Sequence, residues 1–246
     1  MTLLLIVVSS LVGGLVAVLL AGTVLTVHPS VMERALPRLV SFSTGSLLGA
    51  ALLGMLPHAA EELPVSTVTL VVLAGLILFF VAEKLLVWRH CHRHDCDVHA
   101  GSGPLLLLGD SIHNFVDGVV IAGAFLVSTP LGLTAALSTI AHEVPQELGE
   151  YMVYLSSGYT RRRALLFNTA TSLTTVVGAV LGYFFLSEME SVGPYLMAFA
   201  TAGFLYVALA DLVPAQRSRM SLGLTVLDLV LLVAGIAVIA MVAHEH

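Results

Sequence analysis

The feature that most restricts this chain is an alternation. Eight long apolar stretches can be drawn through it, at residues 3–25, 38–57, 66–88, 104–127, 131–156, 164–187, 192–213 and 221–243. All ten basic residues cluster where an odd-numbered stretch ends: Arg34 and Arg38 after the first, Lys84, Arg89 and Arg93 around the end of the third, Arg161, Arg162 and Arg163 after the fifth, Arg217 and Arg219 after the seventh. The connections after even-numbered stretches carry instead Glu61, Glu62, Glu188 and Glu190. Each stretch reaches the roughly 20 residues needed to cross hydrocarbon as a helix. Apolar residues make up 58% of the chain and charged residues 11%, against about 45–50% and 25% in soluble domains. The expected fold is therefore all-α: a polytopic membrane protein, an eight-transmembrane-helix bundle. Because basic loops stay on the cytosolic side, both termini are expected outside. One helix more or fewer would scramble the alternation.

Little chain remains for a soluble domain, and no low-complexity tract or coiled coil appears, so residues 1–246 read as a single transmembrane domain with a cytosolic His/Cys-rich loop at about 89–103. Residues 1–10 (MTLLLIVVSS) lack the basic start of a signal peptide, and no small-residue cleavage site follows; the first span is expected to be retained. The net charge of -6 is split between the two sides, so no nucleic-acid partner is indicated. The lipid bilayer is the expected environment, and the cell membrane (plasma or inner) the expected location. Small residues such as Gly13, Gly14, Ser46, Gly49, Gly54, Gly178 and Gly182 allow helices to approach closely in lipid.

Polar residues inside the spans cost about 2.5–3.5 kcal/mol each for a charged group on insertion scales, and two sequential spans carry most of them. The fourth contains GDSIHNFVDG (109–118), in which His113 and Asp117 are i and i+4 on one face while Asp110 and Asn114 form a second pair about 100° round the helix. The fifth contains AHEVPQELGE (141–150), where His142 and Gln146 are i and i+4, Glu143 and Glu147 are displaced by one residue, and Glu150 follows a turn later. Only STP (128–130) joins the two spans, so they must be antiparallel neighbours. If the stripes face each other, His113, Asp117, His142 and Gln146 converge on one point, and Asn114, Glu143 and Glu147 on a second. Imidazole with carboxylate and amide oxygen suits a borderline divalent ion such as Zn²⁺, whereas Ca²⁺ or Mg²⁺ would call for oxygen alone. Pro145 deprives the Ala141 carbonyl of its helical partner and bends the span, a break tolerated where it faces protein or a wet cavity.

Outside this pair, HCHRHDCDVH (90–99) holds four His, two Cys and two Asp within ten positions and reads as a metal-collecting loop, with the only two cysteines, Cys91 and Cys96, unsuited to a disulfide in the cytosol. His58, Glu61 and Glu62 gather cation-attracting groups at the outer end of the second span.

HNFVDG in the fourth span and HEVPQELGE in the fifth resemble the paired signatures of the ZIP (Zrt-/Irt-like) metal-ion transporters, particularly the LIV-1 branch, and FLYVALADLVP (204–214) resembles that branch's seventh span. The resemblance covers nearly the whole chain. It implies transport of Zn²⁺, and in some members Fe²⁺, Mn²⁺ or Cd²⁺, into the cytosol through a binuclear site between the fourth and fifth spans. His113, Asp117, His142 and Gln146 would form the main site, with Asn114, Glu143 and Asn168 at its neighbour. It further implies a homodimer and an elevator-like movement of a four-helix unit. Three positions depart from the family pattern: Gln146 stands where many members have a second His, Ala50 and Gly54 where some supply Asp and His, and Ala215 where Glu is common. An intramembrane zinc-dependent hydrolase is the alternative, because HEVPQ is one residue short of H-E-x-x-H. A metal sensor reporting through residues 90–99 is a third reading.

Overall fold

The computed structural model describes residues 1–24, 29–88, 102–188, 190–216 and 222–243. The expected metal-collecting loop at 90–99, with Arg89, Arg93, Arg217 and Arg219, lies outside the described residues. The described chain is helical almost throughout: α1 (Thr2–Val24), α2 (Pro29–Gly49), α3 (Leu56–Glu62), α4 (Val65–Trp88), α5 (Ser102–Val127), α6 (Thr129–Ser156), α7 (Arg161–Leu186), α8 (Gly193–Tyr206), α9 (Val213–Gln216) and α10 (Leu222–Ala243). In a hydrocarbon solvent this is what the apolar stretches require, since a helix satisfies its own backbone.

Two rods are composite. A π-helical segment, Ala50–Met55, joins α2 to α3, and another, Val207–Leu212, joins α8 to α9. Each widened segment ends two residues before a proline, Pro57 and Pro214. A proline ring clashes with the carbonyl four residues back, and an inserted residue relieves that crowding while keeping the rod continuous. With these joined, the bundle has eight passes, as the alternation of basic loops predicts. Seven are long and apolar enough to cross a membrane by composition alone. The eighth, α6, has the length at 28 residues but carries its polar stripe through the middle, so its apolar character is diluted on the face it buries.

The helices sort into two groups of four. In one, α5 lies tightly along α7, α6 packs on α5, and α1 packs across both α6 and α7. In the other, α2 lies along α10, α4 packs on α8, and α3 with the widened segment before it packs on α8. The tight pair of each group is made by glycine. A Cβ on Gly118 would run into the Thr175 carbonyl and one on Gly178 into the Phe115 carbonyl, which closes α5 on α7. On the other side, Gly45 meets the backbone of Leu232 and Gly235 that of Phe42, closing α2 on α10. The groups meet chiefly where α2 and α10 touch α6 and where α5 touches α8.

Candidate metal site

Ser128 alone separates α5 from α6, and its hydroxyl accepts the Leu131 N–H to cap the second helix. The two helices therefore run antiparallel side by side, as their short connection predicts. Their facing stripes bring His113, Asp117, His142 and Glu143 together, with one donor atom from each lying within 4.8 Å of all the others. His142 Nε2 is 3.3 Å from His113 Nε2 and 3.0 Å from Asp117 Oδ2. Glu143 Oε1 is 3.8 Å from both imidazole Nε2 atoms, and His113 Nε2 is 3.8 Å from Asp117 Oδ2. A tetrahedral zinc with bonds of about 2.0–2.1 Å holds its donor atoms roughly 3.3 Å apart, so these separations suit one ion in the middle.

The ring is oriented from behind. His142 Nδ1 lies 2.9 Å from the Ser138 carbonyl, which accepts the hydrogen bond and turns Nε2 into the cluster. The His142 ring also meets Phe204 edge-on, at 6.0 Å between centroids. Two imidazole nitrogens and two carboxylates thus face one another at short range. Both carboxylate oxygens of Glu143 and Asp117 Oδ2 are buried without a hydrogen-bond partner. Such an arrangement is costly unless a positive charge sits within it.

Gln146 is placed elsewhere. Its amide donates to Asp110 Oδ1 at 3.0 Å and to Glu150 Oε1 at 3.4 Å, so the cluster holds Glu143 where the sequence reading grouped Gln146. The difference has a simple origin: residues 142, 143 and 146 all project from one side of α6, and a helical wheel does not fix which of two neighbours about 60° apart turns toward α5. Asn114 donates to Asp110 Oδ1 at 2.9 Å and accepts from Thr175. Asn168 donates to the Glu147 carbonyl, and Glu147 Oε1 accepts from Ser172 at 2.6 Å. Asn114, Glu147 and Asn168 therefore form, with Asp110, Gln146 and Glu150, a second polar layer continuing along α5, α6 and α7 from the first. Sequence reading passed over Ser172 and Thr175; the signal available was the run of hydroxyl residues TATSLTT (169–175) in an otherwise apolar span.

Five carboxylic side chains, Asp110, Asp117, Glu143, Glu147 and Glu150, are buried here, and among the described residues no buried Lys or Arg faces them. Pro145 is accommodated across the group boundary: the Ala141 carbonyl that it leaves without a helical partner accepts a hydrogen bond from the Ser43 hydroxyl of α2, and Ser138 donates back to the Ser46 carbonyl at 3.2 Å.

A cavity of about 280 Å³ reaches the cluster, lined by His113, Asp117 and His142 and, toward the end where α4 finishes and α5 begins, by Glu83 and Gly109. Two larger cavities, about 510 and 470 Å³, lie at the opposite end with His58 in the wall of both, and neither includes a residue of the cluster.

Residues 89–243 match a family model described as ZIP zinc transporter. Zinc transporter ZIP13 of Pongo abelii is 30% identical over 223 residues, which are 84% of this chain and 66% of that protein. Zinc transporter foi of Drosophila melanogaster is 29% identical over 56% of this chain and 20% of its own length. Zinc transporter ZIP4 of Rattus norvegicus is 40% identical over 46% of this chain and 17% of its own. The chain thus spans just under two thirds of the first of these relatives and a fifth or less of the other two.

Proposed function

The chain belongs to the ZIP zinc transporter family, and from that premise we propose that it carries divalent transition-metal ions, zinc foremost, across a membrane through the cluster between α5 and α6. One observation supports this most: two imidazoles and two carboxylates with unpartnered oxygens converge on a common point, with no buried Lys or Arg among the described residues to answer them. His113, Asp117, His142 and Glu143 form the main transport site. Asn114, Gln146, Glu147 and Asn168, with Asp110 and Glu150, supply an oxygen-rich layer beside it, the neighbouring position of a binuclear site. Mixed nitrogen and oxygen ligation favours Zn²⁺, with Fe²⁺, Mn²⁺ and Cd²⁺ as competitors.

Transport requires a site strong enough to replace hydration and weak enough to release. Asp117 and Glu143 neutralise the ion's charge, the imidazoles select for softer metals, and the Ser138 carbonyl holds His142 with Nε2 turned into the site. The basic loops lie in the cytosol, both termini lie outside, and the membrane is that of the cell surface. On that orientation the cavity beside Glu83 opens inward and the two at His58 outward, so this conformation faces the cytosol. The ion enters past His58, exchanges water for the cluster, and leaves toward the loop at 90–99. The four-helix group holding the site moves as a unit against the other four, in a homodimer. The hydrolase reading gains nothing here: Glu143 sits among the ligands rather than apart from them as a base, and Gln146 is engaged with Asp110.

Uptake of ⁶⁵Zn²⁺ into proteoliposomes is the test. Wild type should exceed protein-free vesicles clearly, and His113→Ala should fall to about their level. Equal uptake by the two proteins would overturn the site assignment.

A further inference from the structure

The polar side chains lining the cavity that reaches the cluster are His113, Asp117 and His142 of the cluster and Glu83 and Tyr206 of α4 and α8; the rest of the wall is apolar, with Phe79, Val116, Phe199 and Phe204 among it. Glu83 projects from the last turns of α4 and is exposed. The Tyr206 hydroxyl, at the end of α8, donates to Glu83 Oε2, which holds the carboxylate in the mouth and leaves Oε1 as the oxygen available to a ligand. The adjacent ammonium does not take this role: Lys84 Nζ lies over the Phe80 ring, 5.5 Å from its centre. α4 and α8 belong to the other group of helices from the one that bears the cluster. Glu83 therefore faces the site from across the group boundary.

We propose that Glu83 is a landing ligand for the divalent cation, the first carboxylate of the stationary helices to meet an ion that leaves His113, Asp117 and His142 through this cavity. The inference rests on the transport reading. An ion crossing an apolar throat loses hydration before it regains it, and a fixed negative charge at the far end lowers that barrier and raises the local cation concentration. Tyr206 is the positioning residue: it touches the carboxylate, not the ion.

A purely structural tie between α4 and α8 makes a different forecast, because an amide in place of the carboxyl still accepts from Tyr206. The test is ⁶⁵Zn²⁺ flux in proteoliposomes, alongside equilibrium ⁶⁵Zn²⁺ binding to the same detergent-purified proteins, which also reports folding. Glu83→Gln should cut flux about tenfold, the low end of what a focused charge does to an association rate, with binding at the cluster within about twofold of wild type. Glu83→Asp should recover much of that flux, and Tyr206→Phe, which removes the tie and keeps the charge, should retain at least half. Flux of Glu83→Gln equal to wild type would overturn this inference alone, as would a loss in Tyr206→Phe matching that in Glu83→Gln. Absence of flux from wild type would instead bring down the transport reading and this inference with it.

Discussion

The two four-helix groups are built alike and filled differently. Each is closed by a glycine-tight pair, α5 on α7 and α2 on α10. Yet, among the described residues, every buried Asp, Glu, Asn and His belongs to α5, α6 or α7, whereas the buried polar side chains of the other group are hydroxyls: Ser41, Ser43, Thr44, Ser46 and Thr201. A hydroxyl in a helix settles its own donor on the carbonyl one turn back, as Ser41 does on Pro37, Thr44 on Val40 and Thr201 on Met197. A carboxylate has no such recourse and must be answered from another helix or by a cation. The contrast teaches that one group gathers carboxylates for which no buried Lys or Arg among the described residues provides the counter-charge, while the other settles its hydroxyls within its own helices.

That contrast can be broken in order of severity. Asp117→Asn keeps the shape of the cluster and removes one of its two negative ligands; ⁶⁵Zn²⁺ flux should fall by about 100-fold, at the upper end of losses seen when groups supporting a metal site are removed. Ser172→Ala takes away the donor to Glu147 and should lower flux about tenfold, with the main site still binding Zn²⁺ in equilibrium measurements. Lowering the pH on the uptake side should reduce flux a few-fold, because protons compete with the metal for the imidazole lone pairs; a rise on acidification would show proton-driven coupling instead. Thr201→Val in the other group should be the mildest change, costing less than about 1 kcal/mol because donor and acceptor are both local, with flux unaltered. A large flux loss in Thr201→Val would erase the distinction between the two groups.

Much of this was legible in the residues. Ten basic side chains placed eight passes, and the i, i+4 spacing of His113 with Asp117 and the brevity of the 128–130 connection placed two polar stripes face to face. Three things were not legible, each for a physical reason. The choice between Glu143 and Gln146 depends on a rotation smaller than the spacing of neighbouring side chains round a helix. The widened turns before Pro57 and Pro214 follow from where the proline clash is relieved, and Pro145, satisfied by Ser43, shows that widening is not the only outcome. The grouping of α1 with α5, α6 and α7 joins helices far apart in sequence, which no local periodicity reports.

The bond from Ser43 to the Ala141 carbonyl has a consequence for sliding. A bare carbonyl in hydrocarbon costs several kcal/mol, so a helix carrying one is pinned unless it is met at each stop along its travel. Of the buried hydroxyls of α2, Ser43 is the one that meets it, while Ser41, Thr44 and Ser46 donate to their own helix. Any lengthwise shift of α6 past α2 would uncover that oxygen, so the same proline that weakens α6 ties it to the register seen here.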